Sequence, residues 1–380
     1  MKKNKLGIYV HVPFCVRKCL YCDFCSGTDL NSDLVTDYFR ALREEIILNN
    51  HVAKDYVVDS IFIGGGTPSA VGSHHIQELL TDLNKWFEID GNCESTIEVN
   101  PGTVDVQKAS TYISSGLNRM SVGVQSLNEK HLKRIGRIHD TKDVVRTLSD
   151  IHQAGFLNVS VDLMFNLPEQ SLEDVMTDID LIERLNVNHI SYYSLKVEEN
   201  TPFHAMLKNN QIQLATDEQE RAIYHEIIEK LDNIGFKQYE ISNFAIPGYE
   251  SRHNMKYWSR DAYLGLGLSA HSFIDQQRFS NTVYLKAYIH NLLDKRLSRS
   301  AVETIQGKDV IWEFLILGLR KTKGVDISEF KTIAGNHYYA YRQILDNLET
   351  NGLIAFDETS FRLTKLGMDL SNTVFVELLI

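Results

Sequence analysis

The chain has 380 residues, 43% of them hydrophobic, and a formal net charge of −11 from 39 basic and 50 acidic side chains. That length suits about two domains, and the apolar content excludes a globally disordered chain. The acidic balance, with no basic run or stripe, argues against nucleic acid as the main partner.

The first residues are basic, but the apolar run behind them is short and interrupted by His11 and Pro13. A secretory signal would need about 7–15 apolar residues and a cleavage site, and a membrane span about 20 apolar residues. Neither is present, so the sequence predicts a soluble, cytoplasmic protein whose membrane contact is at most peripheral. Four of the 5 cysteines fall between Cys15 and Cys25. Such crowding fits thiols serving a metal in a reducing compartment, not a disulfide framework.

In chain order, strand-like segments at residues 8–12, 60–63, 96–99, 120–124, 159–164 and 190–195 alternate with helix-like segments at 32–48, 75–87, 106–114, 142–154 and 172–185. Asn31 and Ser32 are cap-type residues before the first helix, and Gly116 and Gly155 sit where a helix-ending glycine is favoured. Six β-α units predict an α/β fold with a parallel sheet and helices outside. The strands read as short and apolar, not alternating. After residue 201 the rhythm loosens into a helix at 217–233, an extended piece at 237–241 and a glycine-rich stretch through 272. The domain expectation is a core over residues 1–240, an extension over 241–300 and a C-terminal module over 301–380, with helices at 310–320 and 338–351 and a β-wing near 361–363.

The chemistry-bearing residues sit where these strands end. Cys15, Cys19 and Cys22 follow the first strand in the spacing C-x3-C-x2-C. Cluster irons normally take four cysteines, so three thiolates would leave one iron of a [4Fe–4S] cluster open. The alternatives are a zinc site or three reduced thiols; zinc sites usually pair cysteines with a second pair or histidines further on, and no second pair follows. Gly64-Gly65-Gly66-Thr67-Pro68 ends the second strand and lets a ligand approach the backbone. Glu98 ends the third strand, Gln125 the fourth, and Asp162 interrupts the apolar fifth. A buried carboxylate needs partners, and Arg137 could meet a carboxylate bidentately.

This set resembles the radical-SAM proteins and, over nearly the whole chain, their oxygen-independent coproporphyrinogen oxidase group. The resemblance implies an open partial (β/α)6 barrel with a small, mainly helical, winged-helix-like C-terminal domain. It implies a [4Fe–4S] cluster on Cys15, Cys19 and Cys22. It also implies S-adenosylmethionine (SAM) against Tyr9, Gly65, Gly66, Thr67, Glu98, Gln125, Arg137 and Asp162, with the open iron chelating the SAM amino and carboxylate groups.

Two features point within that group to its haem-chaperone branch, the HemW type. Only fourteen residues precede Cys15, and Asp23 stands where the dehydrogenases place a fourth cysteine. Arg252-His253-Asn254-Met255-Lys256-Tyr257-Trp258 matches that branch's His-Asn-x-x-Tyr-Trp signature. The resemblance implies haem as a further ligand, with His253 as a candidate axial ligand and Tyr257 and Trp258 as flat faces for the macrocycle. The expected function is to bind haem and pass it to an acceptor protein, with an electron donor if SAM is cleaved. The alternative is oxidative decarboxylation of coproporphyrinogen III. Cys25 reads first as a buried thiol, then as a haem-attachment thiol and last as a spare ligand, and Cys93 as structural or exposed and inert. Asn166 and Glu169 flank Leu167-Pro168 where the group has glycines, and Glu169 adopts positive φ with difficulty.

Overall fold

Six parallel strands form the centre of the molecule: β1 (Asn4–Val12), β2 (Tyr56–Gly65), β3 (Ile89–Val99), β4 (Arg119–Gln125), β5 (Asn158–Phe165) and β6 (His189–Ser194). The computed structural model describes residues 3–379, apart from the side chains of residues 300 and 301. Between and after these strands run α1 (Ser32–Leu48), α2 (Ser73–Trp86), α3 (Val106–Ser114), α4 (Glu129–Arg134), α5 (Thr141–Ala154), α6 (Leu172–Ile182), α7 (Pro202–Lys208) and α8 (Asp217–Asn233). Strands β1 to β6 lie side by side in chain order, each pair parallel. The open α/β barrel expected from the sequence is what the chain forms.

The sheet extends at both edges instead of closing. β8 (Asn243–Ala245) pairs antiparallel with β6 and carries β7 (Lys237–Glu240). On the other side β9 (Tyr263–Leu266) pairs parallel with β1 and leads to β10 (His271–Ile274), β11 (Gln277–Asn281) and β12 (Arg299–Thr304). Helix α9 (Arg252–Trp258) lies between β8 and β9, and α10 (Leu285–Leu293) between β11 and β12.

The strands alternate, which corrects the expectation of uniformly apolar strands. In β4, Met120, Val122 and Val124 enter the main apolar core, while Arg119, Ser121, Gly123 and Gln125 line an interior cavity. In β5, Val161, Leu163 and Phe165 face the core and Asp162 and Met164 the cavity. Successive side chains of a strand point to opposite faces. The outer face is therefore covered by helices, and the inner face is a polar lining.

Local signals set the helix starts. Asn31 accepts from the backbone N–H groups of Asp33 and Leu34. Capping boxes open α5 (Asp140 with Asp143), α6 (Ser171 with Asp174) and α8 (Thr216 with Gln219). Gly155 ends α5 at φ 107. The turn after β5 keeps its left-handed geometry without glycines, with Asn166 at φ 59 and Glu169 at φ 60. Asn166 is held by Glu220 and by the Ala215 N–H, and Glu169 by Arg134 and Lys130.

Beyond residue 305 the chain builds a second apolar core around Phe314, Phe330, Tyr341, Leu345 and Phe361. Its elements are α11 (Lys308–Gly318), β13 (Val325–Asp326), α12 (Ile327–Ala334), α13 (Tyr338–Thr350), β14 (Ile354–Phe356), β15 (Ser360–Leu363), α14 (Lys365–Asp369) and α15 (Ser371–Glu377). No helix among the described residues is long and apolar enough to cross a membrane.

Candidate functional site

The loop that leaves β1 carries the three cysteines and is pinned in two places. At its base the Cys15 N–H donates to the Gly27 carbonyl and the Gly27 N–H to the Pro13 carbonyl, both at 2.9 Å. At its far side the Leu20 N–H donates to the Ile135 carbonyl at 3.0 Å. Gly136, at φ +80, allows that approach, since a Cβ there would lie 2.9 Å from the Leu20 side chain. Cys15, Cys19 and Cys22 are all unbridged and all line one cavity of about 350 Å3.

The glycine run forms the adjoining wall. A Cβ on Gly66 would fall 2.7 Å from the Phe14 carbonyl oxygen and 2.9 Å from the Phe14 nitrogen. Gly65 has φ +107, and its N–H donates to Glu98 Oε2 at 3.1 Å. Thr67 directs its hydroxyl to the Cys15 sulfur at 3.7 Å and accepts from Asn100 Nδ2 at 2.9 Å. The glycines, Thr67 and the cysteine loop are thus one packed unit.

Across the cavity, Glu98, Gln125, Arg137 and Asp162 line the same space, as the sequence predicted. Burial, and next the Asp162 carboxylate, push Glu98 up to about 8. Burial also raises Asp162 against its hydrogen bonds to Ser191 and Ser121. Arg137 donates to Asn100 Oδ1 and to the Gly123 carbonyl, each at 3.0 Å, and its Nε is buried without a partner. Gly123 makes room for that fork, because a Cβ there would lie 2.9 Å from Arg137 Nη2. Tyr9 sits one step back. Its hydroxyl is 3.0 Å from His11 Nδ1 and its ring stacks on Phe62, which does line the cavity.

The His-Asn-x-x-Tyr-Trp segment forms α9, and both ring nitrogens of His253 have partners within the chain. Its Nδ1 lies 2.9 Å from Ser60 Oγ and its Nε2 2.9 Å from the Tyr257 hydroxyl, one helical turn on. Burial, then Lys256, lower its pKa to about 3. As an axial ligand His253 would have to exchange one of these two hydrogen bonds for the metal. Tyr257 also packs edge-on to Tyr263. The Trp258 ring lies under the Arg320 guanidinium at 4.4 Å, facing the C-terminal module. Of the seven-residue segment, Asn254 alone is part of the cavity wall.

Several cavity residues escaped the sequence reading: Asn100, Arg119, Ser121, Ser191 and Tyr193. A period of two running back from Gln125 could have found Ser121 and Arg119, and one step on from Glu98 gives Asn100; no such signal marks Ser191 and Tyr193. Cys25 stands outside the cavity, its thiol 3.7 Å from the Val283 carbonyl, and Cys93 is buried beside Ser95.

Among the described residues no three His, Cys, Asp or Glu side chains converge closely enough to hold one metal ion. A zinc site gathers its ligands on a single ion, whereas a cluster takes each thiolate on a different iron. The three-cysteine loop, a glycine run packed too tightly against Phe14 and His11 to carry a Cβ, and the unpartnered Arg137 Nε on the cavity wall fit a [4Fe–4S] cluster with SAM beside it.

This fold and cavity define a radical-SAM protein. The family model "Radical SAM superfamily" matches residues 9–182, and "HemN C-terminal domain" matches residues 305–370. The chain is 36% identical over 371 residues to the Heme chaperone HemW of Bacillus subtilis, covering 97% of both chains. It is 37% identical to the Escherichia coli Heme chaperone HemW, over 71% of both chains. Coproporphyrinogen III oxidase (HemN) from E. coli superposes with a TM-score of 0.86 over 99% of this chain and 90% of its own, at 23% identity. The chain belongs to the HemW heme chaperone family within the radical-SAM proteins, a membership that implies SAM and a [4Fe–4S] cluster.

Proposed function

We propose that this chain is a cytoplasmic haem chaperone that binds haem and hands it to an acceptor protein. The observation that carries the reading is the match to curated haem chaperones along 97% of the chain at 36% identity. The likeness to the oxidase, at 23% identity, is one of fold.

In this reading Cys15, Cys19 and Cys22 hold the cluster, and the glycine wall, Glu98, Gln125, Arg137 and Asp162 hold SAM. A reduced cluster bearing SAM supplies one-electron chemistry. The chain's own residues shape the space for it. Gly65 N–H and Glu98 fix each other, Asn100 ties Arg137 to Thr67, and apolar strands exclude water from outside. Haem is assigned to the cavity and its mouth, not to α9. Phe24 supports this placement: it lines the cavity, is 58% exposed and offers a flat apolar face. Arg17 and Lys18 line the same space with positive charge.

Haem titration of cluster-reconstituted protein, followed by Soret absorbance, tests the proposal. Saturation near one haem per chain and transfer to an apo-globin are expected. Absence of saturable binding, or anaerobic turnover of coproporphyrinogen III to protoporphyrinogen IX, would overturn it.

A further inference from the structure

The cavity has a charged residue on its wall that neither the cluster nor the expected SAM contacts use. Arg119 opens β4 and is 2% exposed. Its Nε is buried without a hydrogen-bond partner, and among the described residues its guanidinium has no hydrogen bond or ion pair. A guanidinium is permanently charged and presents a planar fork of donors. Burying one unpaired is strongly unfavourable.

The nearby carboxylates do not satisfy that fork. Glu98 gives Oε2 to the Gly65 N–H, and Asp162 is engaged by Ser121 and Ser191. Both sense the Arg119 charge without touching it. Two further neighbours, His189 and His253, are held neutral by burial and by the same guanidinium. His189 bonds Ser160 and Tyr239, and His253 bonds Ser60 and Tyr257. The Arg119 end of the cavity is therefore a cation among engaged neighbours, on the cavity wall.

Position separates this end from the cysteines. Arg119 is six residues before Gln125 on the same strand, roughly 20 Å at about 3.3 Å per residue. The cysteine loop leaves the opposite end, after β1. The carboxylate of a SAM molecule chelated beside the cysteines is thus the wrong group for Arg119.

We infer that Arg119 anchors a carboxylate of the tetrapyrrole cargo, a propionate side chain, at the end of the cavity remote from the cysteines. Arg–carboxylate pairs are bidentate and charge-assisted, and here the pair would form out of water. This assignment rests on the haem-binding reading and adds a carboxylate seat to it. The seat orients the macrocycle by its acidic edge.

The test compares haem with haem dimethyl ester, which keeps the macrocycle and lacks the free carboxylates, on the full chain with its cluster reconstituted. Haem should bind the unaltered chain at least tenfold more tightly than the ester. Arg119→Gln should lose at least tenfold in haem affinity, bind the ester unchanged, and retain SAM within twofold by equilibrium dialysis. Arg119→Lys should fall between. Equal binding of haem and ester by the unaltered chain overturns the inference even where the variants fail to fold. Unchanged haem affinity in folded Arg119→Gln, or a loss of SAM in place of haem, also overturns it. Failure of the unaltered chain to bind haem at all is a different result, which removes the chaperone reading itself and this inference with it.

Discussion

Gly66 shows how little freedom the site leaves at single positions. A Cβ there meets the backbone of Phe14, 2.7 Å from its oxygen, and backbone cannot yield as a long side chain can. Gly66→Ala should therefore displace the strand end that leads into Cys15. We expect a cost of about 1–3 kcal/mol and less than half the normal iron per chain after reconstitution, measured by iron and sulfide analysis. His253 makes the opposite kind of case. Its imidazole joins Ser60 on β2 to Tyr257 on α9, so His253→Ala leaves two hydroxyls without a partner and a void. A loss of about 2–4 kcal/mol in chemical denaturation is expected, with the Soret band of bound haem unmoved. A displaced band would return His253 to the role of ligand. The residue types at both positions were legible in the sequence, but their partners were not. Ser60 lies 193 positions from His253, and nothing local announces such a pair.

At the scale of elements, α9 is where the barrel meets the C-terminal module. Glu313 on α11 receives Arg260 at 3.1 Å and Arg278 at 2.8 Å. Lys321 reaches Ser259, and the Thr322 N–H donates to the Tyr239 carbonyl at 3.1 Å. The side chains of Arg260 and Glu313 are each 10% exposed, so removing the acid strands a nearly buried cation. Glu313→Ala should cost about 3 kcal/mol and speed proteolysis between β12 and α11, read by limited digestion against the unaltered chain. Helices with strong local signals were legible to within a residue or two: 32–48, 106–114 and 217–233 coincide with α1, α3 and α8. α9 and α10, seven and nine residues long, were not, because short helices gain their stability from what they pack against.

For the whole molecule, buried neutral histidines contribute to the response to acid. His253 is lowered to about 3 by burial and by Lys256, and His139 to about 4 by burial and by Arg137. The unfolded chain binds these protons near pH 6.5 and the folded chain withholds them. Their stabilising contribution is thus complete above pH 6.5 and is lost as pH falls toward those values. Each site contributes a slope of at most about 1.4 kcal/mol per pH unit. Denaturation of the unaltered chain and of His253→Gln at pH 7, 6 and 5 should show the variant losing less on acidification. Equal slopes would mean that His253 titrates normally in the folded state. Groups common to both chains cancel in the difference.

The division between what was legible and what was not follows contact range. The cysteine spacing, the glycine run, the β-α rhythm and the helix caps are local, and they were enough to specify the barrel class and the three-cysteine loop that opens its cavity. Which side of each strand faces the cavity, and how residues of β6 such as Ser191 and Tyr193 join it, depends on six strands being wrapped together. So does the engagement of both His253 nitrogens. These are contacts between residues far apart in the chain, and only the folded barrel brings them into register.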